Sequence, residues 1–266
     1  MGGARIVVKV GTSTLTHEGG KLNFRSFDSI ARVLSDIHNL GFEIILVSSG
    51  AIAVGAHKLR IEESPRELRL KQAAAAIGQC ELMYLYDKFF SEYGKIVAQI
   101  LLTGQDVDRP NVKQNLINTF NSLLELGVIP IVNENDSVGH EEIETHKEGK
   151  TVFGDNDILS AVVAVLCDAD KLILLSDIDG FYDSDPAKNP KARLIREVRA
   201  IDDKVRGGAG GAGSSRGTGG MLTKLQAAEL AMENGIDMII TNGKNLDTLY
   251  DIASGKPVGT LFKRRG

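Results

Sequence analysis

Apolar residues fall along this chain in two alternating rhythms. Short runs rich in Val, Ile and Leu occur at 5–10, 43–47, 96–102, 128–132, 172–175, 238–241 and 260–262. Between them lie longer stretches, at 25–40, 66–93, 114–126, 157–167 and 223–234, where apolar positions recur every three or four residues. The short runs show little polar alternation, as in parallel strands covered on both faces, and the long ones read as amphipathic helices. Gly41, Gly94, Gly127 and Gly235 each stand one place beyond such a helix, where glycine ends it in a left-handed conformation. The βαβ succession predicts an α/β fold: a three-layer αβα sandwich around a mainly parallel sheet, with right-handed crossovers.

In sheets of this kind ligands bind outside the carboxyl ends of the strands. Those ends are polar here. Gly11-Thr12-Ser13 follows the first run, and Ser48-Ser49-Gly50-Ala51, leading into a helix, follows the second. Asn133-Glu134-Asn135-Asp136 follows the fourth, Ser176-Asp177 the fifth and Thr241-Asn242-Gly243 the sixth. Any one of these is ordinary turn chemistry. Five of them on one edge of a parallel sheet predict a ligand site.

Lys9 interrupts the first strand, Ile6-Val7-Val8-Lys9-Val10-Gly11. Either it snorkels from an edge strand to water, or it meets an anion, because an unpaired buried ammonium is costly. Gly154-Asp155-Asn156-Asp157 opens a helix, and capping accounts for only one of its three polar side chains. A glycine-dense segment, 207–220, runs into a helix carrying Lys224 in its first turn. A cation there opposes the helix dipole, a penalty that a bound anion reverses; the bland alternative is a flexible linker beside a surface lysine. The G-x-G-x-x-G match at 208–213 does not follow a strand within a βαβ unit, and no G-x-x-x-x-G-K-[ST] sequence occurs, so neither dinucleotide fingerprint nor P-loop applies. His140 and His146 lie in a polar stretch, 139–150, that reads as solvated loop rather than metal site, so no metal-ligating residues are assigned.

Composition narrows the class. The 266 residues suffice for one large domain, taken as 1–266, with 42% hydrophobic and 25% charged residues as in ordinary globular proteins. A net charge of −4 argues against a nucleic-acid-coating protein. The two cysteines, Cys80 and Cys167, are far apart and read as reduced thiols. The apolar stretch 158–166 is too short to span a membrane, and the first apolar run is too short for a signal peptide. A cytoplasmic protein without membrane or nucleic-acid partners is expected.

Taken together, the motifs resemble the amino acid kinase family along essentially the whole chain. They are Val8-Lys9-Val10-Gly11-Thr12-Ser13, the 47–55 segment with Ser48-Ser49-Gly50-Ala51, Asn133-Glu134-Asn135-Asp136, Phe153-Gly154-Asp155-Asn156-Asp157, Ser176-Asp177 with Gly180-Phe181-Tyr182, and Gly217-Thr218-Gly219-Gly220-Met221-Leu222-Thr223-Lys224-Leu225. The paired N-E-N-D and G-D-N-D segments are similar to the branch acting on glutamate. That resemblance implies transfer of the ATP γ-phosphoryl group to the side-chain carboxylate of L-glutamate, the first step of proline biosynthesis. It implies Lys9, Lys224 and Asp157 as catalytic residues. Ser49, Gly50, Ala51, Asn133, Asp136 and Asn156 would bind the amino acid, mainly from the N-terminal part of the domain. Lys9, Gly11, Ser176, Asp177, Thr218, Gly219, Gly220, Met221, Leu222, Thr223 and Lys224 would bind ATP, mainly from the C-terminal part. Mg²⁺ would be held mainly by the nucleotide phosphates. A homodimer or homotetramer, feedback inhibition by proline and a functional link to glutamyl phosphate reductase are further implications.

Three departures from the family pattern stand out. A form without the C-terminal PUA domain of many relatives is expected, the segment between Asp136 and Gly154 is long, and Arg216 stands where a small or aliphatic residue is expected. Sister kinases for acetylglutamate, aspartate, carbamate or a nucleoside monophosphate are the nearest rivals. A non-catalytic amino-acid or nucleotide sensor is the rival from another class.

Overall fold

In a computed structural model, which describes residues 3–61, 65, 67–139, 153, 155–208 and 220–264, the apolar runs form an eight-stranded sheet. Its strands are β1 (Arg5–Val10), β2 (Glu43–Val47), β3 (Val97–Leu102), β4 (Ile129–Glu134), β5 (Lys171–Ser176), β6 (Glu197–Val198), β7 (Asp237–Asn242) and β8 (Thr260–Phe262). The helices are α1 (Thr12–Leu15), α2 (Phe24–Asn39), α3 (Ala51–Lys58), α4 (Leu68–Glu92), α5 (Gly104–Asp108), α6 (Pro110–Glu125), α7 (Asn156–Leu166), α8 (Asp203–Gly208), α9 (Met221–Glu233) and α10 (Thr248–Ala253).

The strand order is β3-β4-β2-β1-β5-β7-β8-β6, and every pairing is parallel except β7 with β8. Two apolar layers cover the sheet. One, with α2, α3, α4 and α10, buries Ile6, Val8, Val10, Phe27, Leu82 and Leu249. The other, with α6, α7 and α9, buries Val7, Val47, Phe120, Leu159 and Leu225. The three-layer αβα sandwich is as the sequence predicts. Because side chains alternate along a strand, Lys9 shares the face of Val7 and is directed toward α7 and α9. Lys9 is on a central strand with neighbours on both sides, so the edge-strand reading fails.

The glycine stops hold. Gly41, Gly94, Gly127 and Gly235 have φ of 95°, 66°, 69° and 75°. Two further glycines set helix spacing. A Cβ on Gly55 would lie 1.8 Å from the Ala74 carbonyl oxygen, and one on Gly78 would lie 1.8 Å from that of Ala51. Helices α3 and α4 therefore meet backbone to backbone, which fixes the turn that precedes α3.

Some expectations needed correction. The polar ends begin inside the strands: Asn133 and Glu134 close β4, Ser176 closes β5, and Thr241 and Asn242 close β7. The helix expected at 114–126 starts earlier, at Pro110, where proline sits in the first turn and loses no helical hydrogen bond. The short elements α1, α5, α8, α10 and β6 were not anticipated. The polar stretch 140–150 with His140 and His146, Arg216, and most of the glycine-dense 207–220 segment lie outside the described residues.

Candidate active site

Parallel pairing puts the polar ends of β4, β2, β1, β5 and β7 side by side on one sheet edge. At about 4.8 Å per strand they span roughly 19 Å. At the centre is Asp157, whose side chain is fully buried. Lys9 Nζ lies 2.8 Å from its Oδ1 and Lys224 Nζ lies 2.9 Å from its Oδ2. Both contacts are close ion pairs, and that of Lys224 is also an aligned hydrogen bond. Burial pushes the Asp157 carboxyl up, but the charges of Lys9 and Lys224 outweigh it and hold the group below its ordinary value. One aspartate thus holds two ammonium groups from opposite elements, one on β1 and one on α9.

Three consecutive residues at the start of α7 have three separate tasks. Asp155 is the N-cap, accepting from the Asp157 backbone N–H at 2.7 Å. Asn156 donates from Nδ2 toward the Ser48 carbonyl (2.7 Å), Ser49 Oγ (2.8 Å) and Asn133 Oδ1 (3.0 Å). Asp157 takes the lysines. Asn156, Ser49 and Asn133 are therefore brought together, linking the ends of β2 and β4 to α7. With its amide N–H groups spent on protein, Asn156 presents Oδ1 as an acceptor, and the Ser49 hydroxyl keeps its proton to donate.

Asn133 is almost wholly buried and uses both ends of its amide. Oδ1 also accepts from the Glu134 backbone N–H at 2.9 Å, and Nδ2 donates to Gln79 Oε1 at 2.9 Å. Its place is to orient Asn156. Gln79 on α4 was missed by sequence reasoning, since a lone glutamine within an amphipathic helix carries no signal. Glu134 was also unassigned. Burial, with the charges of Asp136 and Asp155 nearby, pushes its carboxyl up to about 7. Three carboxylates at the β4–α7 end make a field suited to an ammonium group.

Gly50, with φ 94°, caps α3, and a Cβ there would lie 3.5 Å from Thr12 Cγ2. The glycine turns after β1 and β2 thus face one another. A Cβ on Gly11 would lie 3.7 Å from Lys9 Nζ. Ala51 is buried and begins α3.

On the other side, Ser176 Oγ donates to Asp177 Oδ1 at 3.2 Å, and the Gly243 N–H donates to the Ser176 carbonyl at 2.7 Å. The following turn is pinned to β8. Thr260 Oγ1 accepts from the Phe181 N–H at 2.8 Å, Phe181 packs on Phe262, and a Cβ on Gly180 would lie 2.5 Å from Thr260 Oγ1. Gly220 caps α9, and Thr223 Oγ1 lies 3.1 Å from Asp157 Oδ2. Met221 is half-buried, while Leu222 is left exposed. Thr218 and Gly219 lie outside the described residues. No group of three His, Cys, Asp or Glu side chains placed to hold a metal occurs among the described residues. Both Asp157 oxygens already face ammonium groups.

Comparison with known proteins follows the same lines. The sequence model described as the amino acid kinase family matches residues 4–242. A glutamate 5-kinase of Clostridium perfringens is 55% identical over 258 residues, covering 97% of this chain and 94% of the relative. One of Listeria innocua is 53% identical over 258 residues, covering 97% and 92%. Among solved structures, carbamate kinase from Giardia lamblia bound to AMP-PNP superimposes with a TM-score of 0.71 at 19% identity, over 99% of both chains. UMP kinase from Bacillus anthracis gives 0.64 at 18% identity, over 100% of this chain and 98% of that one. At those identities the two structures share the fold.

Proposed function

The chain belongs to the amino acid kinase family, and from that premise we propose that it is an ATP-dependent kinase for the side-chain carboxylate of L-glutamate. It forms L-glutamyl 5-phosphate, the first step of proline biosynthesis. The observation that carries the phosphoryl-transfer reading is the buried Asp157 between Lys9 and Lys224. The choice of acceptor rests on identity above 50% with glutamate 5-kinases.

The chemistry needs no general base, since a carboxylate is already a nucleophile. A carboxylate oxygen of glutamate bonds to the γ-phosphorus, the bond to the β,γ-bridging oxygen breaks, and ADP leaves with that electron pair. The difficulty is bringing two anions together and stabilising charge on the group in flight. Lys9 and Lys224 approach that group from β1 and α9. Asp157 positions both ammonium groups, and the backbone N–H groups around Gly11 and Gly50 complete the cradle. The Ser49 hydroxyl and the Gly50–Ala51 turn hold a carboxylate of the amino acid. Asn156 Oδ1 and Asp136 receive its α-ammonium, with Asn133 orienting Asn156. Ser176, Asp177 and residues 218–224 hold the nucleotide, which enters as its Mg²⁺ complex. The acceptor end of the sheet edge, at β4 and β2, thus comes from the N-terminal part of the domain, and the nucleotide end, at β5 and β7, from the C-terminal part.

The acyl phosphate is reactive, which supports handing it on to a reductase. Family resemblance supports a homodimer or homotetramer, proline feedback and a cytoplasmic location. Among the described residues no helix is long and apolar enough to cross a membrane.

Incubation with ATP, Mg²⁺ and hydroxylamine tests the reading, because an acyl phosphate is trapped as its hydroxamate. Hydroxamate is expected with L-glutamate. Formation with acetylglutamate or aspartate but not glutamate would move the chain to a sister activity, and none with any acceptor would favour a sensor.

A further inference from the structure

A cavity of about 850 Å³ opens at the same sheet edge but does not include Lys9, Asp157 or Lys224. It lies on the α2 and α10 side, across the ends of β1, β5 and β7 from the lysine clamp. Strand order reverses between β1 and β5, with β2 on one side and β7 on the other, so the cavity sits beside the switch point where such sheets take ligands. A volume of this size accommodates a small metabolite.

Its lining has a definite chemistry. Arg25, Ser29 and Arg32 share one face of α2 at four- and three-residue spacing, and Lys244 faces them from the turn after β7. Ser13 and Ser26 add hydroxyls, and Leu246 is the one large apolar side chain present. Two carboxylates oppose the three cations. Asp247 lies 3.6 Å from Arg32, and Asp177 takes the hydrogen bond of Ser176. Arg25 and Lys244 have no ion-pair or side-chain hydrogen-bond partner among the described residues, and neither do the hydroxyls of Ser13, Ser26 and Ser29. Helical serines commonly bond back to a carbonyl one turn earlier; here two leave that bond unmade and face the cavity. Arg25 also sits in the first turn of α2, which has no acidic residue, where a cation opposes the dipole. A phosphate in the cavity would remove that penalty and give Arg25 and Lys244 an anionic partner.

The geometry points to a second anion site, for the phosphate group of a small phosphorylated metabolite, distinct from the phosphoryl clamp. Ser13 lines it and lies two residues from Gly11, so an occupant would abut the turn beneath Lys9. The natural source is either a nucleotide or a smaller phosphoester, and the shared group is the phosphate.

Calorimetric titration of the whole chain with inorganic pyrophosphate tests this, using the wild type, Lys224→Met and Arg25→Ala/Lys244→Ala. Binding should survive Lys224→Met and weaken at least tenfold in the double variant, whose kcat and KM for ATP stay at wild-type values. A parallel titration with ADP separates the sources. A heat component abolished in the double variant marks a nucleotide ligand, and its absence marks a smaller phosphoester. Three results overturn the site: no binding of pyrophosphate, binding lost in Lys224→Met but kept in the double variant, or a raised KM for ATP in the double variant. The last would make the cavity part of the nucleotide's own site. The hydroxamate assay reads the kinase activity independently of all three.

Discussion

At the scale of single residues, Asp157 and Glu134 show one carboxyl chemistry pushed in opposite directions. Asp157 is buried between two cations and stays charged, whereas the half-buried Glu134, beside two carboxylates, is pushed up to about 7. If Lys224 stabilises the phosphoryl group only in flight, Lys224→Met should lower kcat by about 10²–10³-fold, the usual loss for one such electrostatic group. Glutamate binding measured by calorimetry should hardly change, and a variant with normal kcat would remove Lys224 from the clamp. For Glu134, ionisation near pH 7 adds a negative charge where the α-ammonium is proposed to sit. Affinity for glutamate, measured without nucleotide, should rise up to about tenfold between pH 6 and 8, about one pKa unit of interaction. Glu134→Gln should flatten that profile, and an unchanged slope in the variant would assign it to another group. For stability the sign is reversed. A raised carboxyl favours the folded state below its ordinary value of 4.5, and that contribution is lost as pH rises to about 7.

At the scale of elements, the contact of α3 with α4 through Gly55 and Gly78 fixes the turn that is proposed to hold the acceptor. Gly78→Ala puts a methyl group against the Ala51 carbonyl and must displace α3. A loss of about 2–3 kcal/mol in urea unfolding is expected, as for overpacked cores. KM for glutamate should rise with it, because Ser49 and Gly50 lead directly into α3; a stability loss with unaltered KM would separate the two. The strong elements were legible because each carries several turns of periodic pattern or a run of apolar residues. The two-residue β6 and the four-residue α1 are too short to express any period. The antiparallel entry of β8 depends on where the chain folds back, which local pattern does not encode. In the site, Lys9 and the polar strand ends were visible because they break an apolar context. Gln79 was not, because polar residues are ordinary on an amphipathic helix and only the fold brings it to Asn133. That Asn133 faces protein on both ends of its amide was likewise beyond the sequence.

At the scale of the whole molecule, the clamp ties the two layers of function to the stability of the fold. Asp157 has a lowered pKa, so its pairing stabilises the protein above the ordinary value of 3.8 and is lost as pH falls through the lowered one. Asp157→Asn should cost about 3 kcal/mol at pH 7, because it leaves two ammonium groups close together without their partner. Urea unfolding across pH 5 to 2 should then fall off less steeply in the variant than in the wild type; parallel curves would mean that other carboxylates drive acid unfolding. The adjacency of Asn156 and Asp157 on one rigid helical turn has a further consequence. The groups proposed to hold the amino end of the acceptor and those that meet the phosphoryl group cannot move apart independently. The molecule therefore carries a fixed ruler between ammonium and phosphorus. Aspartate, one methylene shorter, can fill the ammonium end yet leave its carboxylate short of the phosphorus. A displacement of about 1 Å in such a reaction costs on the order of 10²-fold, so the gauge would reject aspartate by distance, without any group that repels it.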